Sequence, residues 1–210
     1  DKSAANADLL GQTTVLVNVQ PQNGFTGNVD LAVSGAPAGV TCTFDKPQVM
    51  VNGGSASATL TLKTASDTAP ATQNLTITAT SGSLSATSTV AFTVNPVINL
   101  TIPANVDAMR GATDTVVQSQ AYGPNPLNLK LGTATSIAIK IMNNDAKPHE
   151  IHAGNATQGF AHGNSIPANT LEGNTQANAP RTVNAAGTYN FYLHDGTNGR
   201  TISGRVVVTQ

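Results

Sequence analysis

The residues best equipped for chemistry lie in one stretch, NNDAKPHEIHAGN, residues 143–155, which holds two of the chain's four histidines and one of its two glutamates. A zinc-peptidase helix needs histidines four apart on one face with a glutamate between them as general base. Here His149 and His152 are three apart, Pro148 precedes them and Gly154 follows, so neither the spacing nor a helix is available. The remaining chemistry is imidazole coordination of a divalent cation. His162 and His194 complete the candidate set, and all four histidines fall in the last third of the chain. On an extended strand His149 and Ile151 share one face while Glu150 and His152 share the other, so both histidines of HEIH could hold one ion only across a bend.

The elements that must position these groups are strands. Only 10% of the 210 residues are charged, the net charge is −1, and Thr, Ser, Ala, Asn, Gly and Val dominate. That composition is poor in helix formers and suits strands and turns, so the chain reads as all-β. It offers no basic footprint for nucleic acid, and no apolar run approaches the length of a membrane span. Low charge with abundant Thr and Ser points to an exported protein, in the periplasm or at the cell surface, with DKSAANADLL as the possible start of a mature chain. Cys42 is alone, so no intrachain disulfide forms, and its alternation with Val40 and Phe44 places it on an inward strand face.

Period-two alternation predicts two β-sandwich domains, 1–95 and 96–210. In the first, Val15, Val17 and Val19, then Val29, Leu31 and Val33, then Ala58, Leu60 and Leu62, then Leu75, Ile77 and Ala79, and finally Val90, Phe92 and Val94 form inward faces. In the second, Ile98, Leu100 and Ile102 are followed by an irregular stretch at 104–114, a possible strand TVVQSQ, then Leu127, Leu129 and Leu131, and Ile137, Ile139 and Ile141, before GTYNFYL and GRVVV close the chain.

Both halves carry family motifs. NGFTGNVDLAVSGAPAGVTCTF followed by NGG and a Thr-rich strand resembles the bacterial immunoglobulin-like repeats of exported proteins, over about 20–95. That resemblance implies a module that spaces or presents other domains. Residues 115–210, with NNDAKPH ahead of GTYNFYLHDG and a final valine strand, resemble the cupredoxins, small copper proteins of Greek-key β-sandwich form. The resemblance implies His149 as first ligand, with His152 in reserve, and His194 in the ligand loop. It aligns His152 and His162 with histidines of one subgroup. It also places Leu193 at the cysteine ligand, Gly196 at a second histidine and Ile202 near an axial methionine. Leucine donates no electron pair, and a blue copper centre requires a thiolate, so that centre is excluded. An imidazole-only site suits Cu2+, Zn2+ or Ni2+, with copper favoured on affinity and zinc as the alternative. Asp195 could orient an imidazole or simply form a turn, and Met142 reads as packing rather than as a ligand.

The expectation is therefore a non-enzymatic, copper-handling protein with a colourless site of His149, His162, His194 and His152, presented by an immunoglobulin-like spacer. The alternative is a metal-free surface or structural protein that binds another macromolecule, such as a cell-surface or periplasmic protein, through its sandwiches. Asn-x-Thr triplets at 74, 99 and 155 match the glycosylation sequon, but a chain this rich in Asn and Thr generates such triplets by chance.

Overall fold

Alternating apolar and hydroxyl side chains draw this chain into strands whose one face is dry and whose other is wet. The computed structural model describes residues 4–106, 126–153, 165–172, 181–194 and 202–210. Among them there is no α-helix, and none is therefore long and apolar enough to cross a membrane. The chain divides into two compact units, Asp1–Asn95 and Pro96–Gln210.

The first unit is a β-sandwich of two sheets. One sheet joins β2 (Gln12–Val19), β6 (Ala56–Thr64) and β4 (Val40–Phe44); the other joins β5 (Gln48–Asn52), β3 (Thr26–Ser34), β7 (Thr72–Ser81) and the first part of β8 (Leu84–Ile102). Most of the expected inward residues form the core, with Val15, Leu60, Leu62, Leu75, Ile77, Val90 and Phe92 buried, while Val17, Val19, Val33 and Ala79 are only partly buried. Outward, β7 and β8 set hydroxyls opposite one another, with Thr72 and Thr93 hydrogen-bonded at 2.8 Å. Cys42 alternates inward as expected, yet it is only half-buried, because β4 is an edge strand pairing β6 alone. Burial pushes its thiol pKa up.

In the first unit one strand escapes the sequence reading, as the short strands Thr170–Leu171 and Arg181–Val183 do in the second. β1 (Ala4–Leu9) pairs β8 and buries Ala5, Ala7 and Leu9. Two of its three inward residues are alanines, too small to make the alternation conspicuous. Its exit turn is held by Thr64, whose hydroxyl donates to the Asp8 carbonyl at 2.6 Å.

The second unit also has two sheets. In one, β10 (Ile137–Asn143) runs parallel to Val97–Ile102 of β8, and its other edge carries β12 (Thr170–Leu171) and β13 (Arg181–Val183), both antiparallel. In the other, the order is β11 (Glu150–Ala153), β14 (Gly187–His194), β15 (Ile202–Thr209) and β9 (Leu127–Lys130), with β9 parallel to β15. Ile137, Ile139 and Ile141 face inward from the first sheet, and Ile151, Leu193, Val206 and Val208 from the second. TVVQSQ and residues 107–114 lie outside the described residues.

Gly204 is one point where this second core admits no substitution. It pairs with Phe191 across β14 and β15, and a Cβ added to it would clash with the tip of the Phe191 ring. Gly204→Ala is expected to destabilise the second unit by about 1–3 kcal/mol, as overpacking does, in chemical denaturation.

Candidate functional site

Residues 144–149 carry the chain from one sheet of the second unit to the other, from the end of β10 to the start of β11. A chain that leaves a sheet leaves its ladder hydrogen bonds behind, and buried amides and carbonyls then need other partners. Asn143, fully buried at the last position of β10, supplies them. Its Nδ2 lies 2.8, 3.0 and 3.1 Å from the carbonyl oxygens of Lys147, Ile166 and Pro167, so two hydrogens serve three acceptors. Its Oδ1 accepts the Asp145 main-chain N–H at 2.9 Å, the Asx turn that short polar side chains favour.

Asp145 continues the chain of contacts. Its Oδ1 accepts the Ala146 N–H at 2.6 Å, and its Oδ2 lies 2.8 Å from Nε2 of His149. The His149 main chain is bridged to Ile166 in both directions, at 3.1 and 2.7 Å. With the imidazole 3% exposed, His149 is held at both backbone and ring. Burial favours the neutral acid of Asp145. Hydrogen bonds from His149 and from the Ala146 and Asn105 main chain, with the His149 charge, outweigh that and lower its pKa.

His152 stands in a different environment. Its ring stacks on Tyr192, centroids 5.1 Å apart and planes 8° from parallel, with Glu150 Oε2 3.5 Å from its Nε2. Between the two histidines Ile151 turns into the core opposite Leu193, as strand alternation requires. His194 ends β14 with its main chain registered to Glu150; its side chain, His162 and Asp195 lie outside the described residues. Among the described residues, no three His, Cys, Asp or Glu side chains group as a cation site. Leu193, at the position the cupredoxin resemblance gives to a thiolate, is 2% exposed and packed inward. Of the described histidines, His149 is the one whose ring lies against a buried carboxylate.

Two features have little signature in the sequence. The first is a buried ion pair between Glu172 and Arg181, each side chain 3% exposed, with Nη2–Oε1 at 2.8 Å and Nε–Oε2 at 3.3 Å. These residues flank β12 and β13 on the same edge of β10, where Arg181 pairs Ile139 and the Glu172 N–H donates to the Ile141 carbonyl at 2.7 Å. Burial raises the Glu172 pKa, against the pull of the Arg181 charge and hydrogen bond. The second is an open groove of about 350 Å³ in the first unit, lined by Phe25, Val29, Ala79 and Leu84 among others. Its only sequence cue is a leucine within the Ser- and Gly-rich turn SGSLS.

No protein-family model matches this chain, and no curated protein sequence does. Among solved structures it is similar to a family 123 glycoside hydrolase from Clostridium perfringens, at 13% identity and TM-score 0.36, covering 61% of this chain and 33% of that one. The chain thus spans about a third of the hydrolase's length. It is also similar to the D0–D1 domain of intimin, at 14% identity and TM-score 0.30 over 100% of this chain and 96% of that one. A third likeness is to the CupB2 chaperone of Pseudomonas aeruginosa, at 8% identity and TM-score 0.27 over 93% of each chain. At values this low, none of these likenesses speaks to function.

The two buried acids carry opposite pH signatures. Asp145, with a lowered folded pKa, contributes stability that is complete above the ordinary value of about 3.9 and is lost as pH falls through the lowered one. Asp145→Asn should remove that acid-side loss from a plot of unfolding free energy against pH. Glu172, with a raised folded pKa, contributes most in acid, and its contribution declines as pH rises through the raised value. Glu172→Leu leaves the buried Arg181 charge without its carboxylate and should cost about 3–5 kcal/mol, whereas adding Arg181→Met should recover most of that loss. Urea unfolding of the single and double variants measures both.

Proposed function

We propose that this chain is a non-catalytic, exported structural or binding protein whose β-sandwiches present or contact another macromolecule. The observation that supports this reading most is how the described buried polar groups of the second unit are used. Asn143 serves three carbonyls, Asp145 serves His149, and Glu172 serves Arg181. Groups engaged in this way fasten loops to strands. The large apolar side chains exposed among the described residues, Leu10, Leu16, Met50 and Leu84, all belong to the first unit, which supports contact through that sandwich. Export to the periplasm or cell surface rests on the low charge and the Thr- and Ser-rich strands.

A second reading has its own observation. A cupredoxin-like second unit would hold Cu2+, or Zn2+, in a histidine-only site for copper handling, drawing on His149, His162 and His194 with His152 in reserve. The Asp145–His149 contact favours it, because metal-binding imidazoles commonly donate their other ring N–H to a carboxylate. Blue-copper electron transfer stays excluded, since Leu193 provides no thiolate.

Thermal unfolding separates the two readings. On the first, the melting temperature of the full chain is unchanged by a chelator, by CuCl2 or by ZnCl2. On the second, metal at a hundred times its Kd stabilises the folded state by about 2.7 kcal/mol, which raises Tm by roughly 10 °C or more for a unit of this size. A rise of that order would displace the first reading.

A further inference from the structure

We infer that β2 is a self-association edge: two copies of this chain pair their β2 strands antiparallel, which joins their β2–β6–β4 sheets into one sheet of six strands. Among the described strands β2 pairs with β6 alone, so its other side is the edge of a sheet. That edge borders open space. A gap of about 90 Å³ is lined by Val15, Leu16 and Val17 of β2 and, from β7 and β8, by Ile77, Ser88 and Val90. Val15 and Val17 face inward and Leu16 outward, so a gap touching all three runs along the strand's backbone edge rather than over either face. The larger groove beside Phe25 begins at Val19, the last residue of the same strand.

An open edge invites another strand unless short length, charge or proline blunts it. The other described edges are blunted. β1 carries Asp8, β9 ends in Lys130, β11 begins with Glu150, and β4 and β5 have five residues each. β2 has eight residues, QTTVLVNV, with no charge, proline or glycine among them. Antiparallel pairing with its own copy therefore sets no like charges opposite one another, and a twofold contact of this kind uses the same edge on both partners. The added strand also completes burial: Val17 and Val19 point inward yet are only partly buried, and Leu16 is 50% exposed. At β5, also uncharged, the inward Val49 and Val51 are already buried, so a strand added there covers nothing new inside. The inference names a second copy as the partner in the first reading above, on which it rests.

Sedimentation equilibrium of the full chain in the presence of a chelator, from micromolar to near-millimolar concentration, tests the pairing. The weight-average mass is expected to rise from one chain toward two and to stop there, because a twofold contact leaves no second β2 edge open. Amide exchange at residues 15–19 should slow as the dimer fills. Leu16→Lys puts a like charge on each of the paired strands, at an exposed position, and should weaken the dimer about tenfold or more. Thr14→Lys, exposed on the same face of β2, takes its place should that variant not fold. Met50→Lys, on the β5 edge, should leave the dimer unchanged. A monomer at every concentration, growth beyond two copies, a dimer that the β2 variants leave intact, or one that Met50→Lys dissolves as readily, overturns the inference. The wider reading is decided separately, by the melting experiments with metal.

Discussion

A single buried amide carries the second unit through its most demanding turn. Where β10 ends and the chain crosses to the opposite sheet, the backbone loses its ladder partners, and Asp145 and His149 turn inward while the residues between them stay exposed. Asn143 answers with two donors and one acceptor placed among Lys147, Asp145, Ile166 and Pro167. No aliphatic residue could do this, because each unsatisfied buried amide or carbonyl costs about 1–3 kcal/mol. Everything around the candidate site depends on that satisfaction: the Asx turn sets Asp145, Asp145 sets the His149 ring, and Ile166 pins the His149 backbone.

The same constraint explains why so charge-poor a chain buries an ion pair. β12 and β13 are only two and three residues long, and each meets the same edge of β10. Strands this short bring little apolar area of their own. The Glu172–Arg181 fork adds a directional contact that joins the two segments at the edge where they dock. Such pairs cost desolvation and contribute little net stability, but they disfavour misregistered alternatives that would separate the charges.

The first unit works by different means. Its core is a regular alternation of Val, Leu, Ile and Phe, and its outer surface is largely hydroxyl and amide. Of its exposed apolar groups, Leu84 lines the groove beside Phe25, and Leu10, Leu16 and Met50 lie outside it. The halves therefore differ in kind: the first leaves apolar side chains exposed, and the second buries paired polar ones.

Fold class and most strands were legible from period-two alternation, because a strand with one dry face must repeat every second residue. β1 was not, since alanines bury too little area to mark a face. His149 was singled out by the resemblance of NNDAKPH to a cupredoxin segment. What residue order could not reveal was that Asp145 would reach back to its ring, or that Ile151 between the histidines would leave His149 held by Asp145 and His152 stacked on Tyr192. Nor could it pair Glu172 with Arg181, which appear as two isolated charges nine positions apart. Local periodicity follows from each residue's own backbone geometry, whereas these contacts arise only when a folded loop or a paired strand brings the side chains together and excludes water. The chain by itself therefore determined the alternating strands and the kinds of polar group available, and the tertiary fold alone decided which of those groups were spent on holding loops.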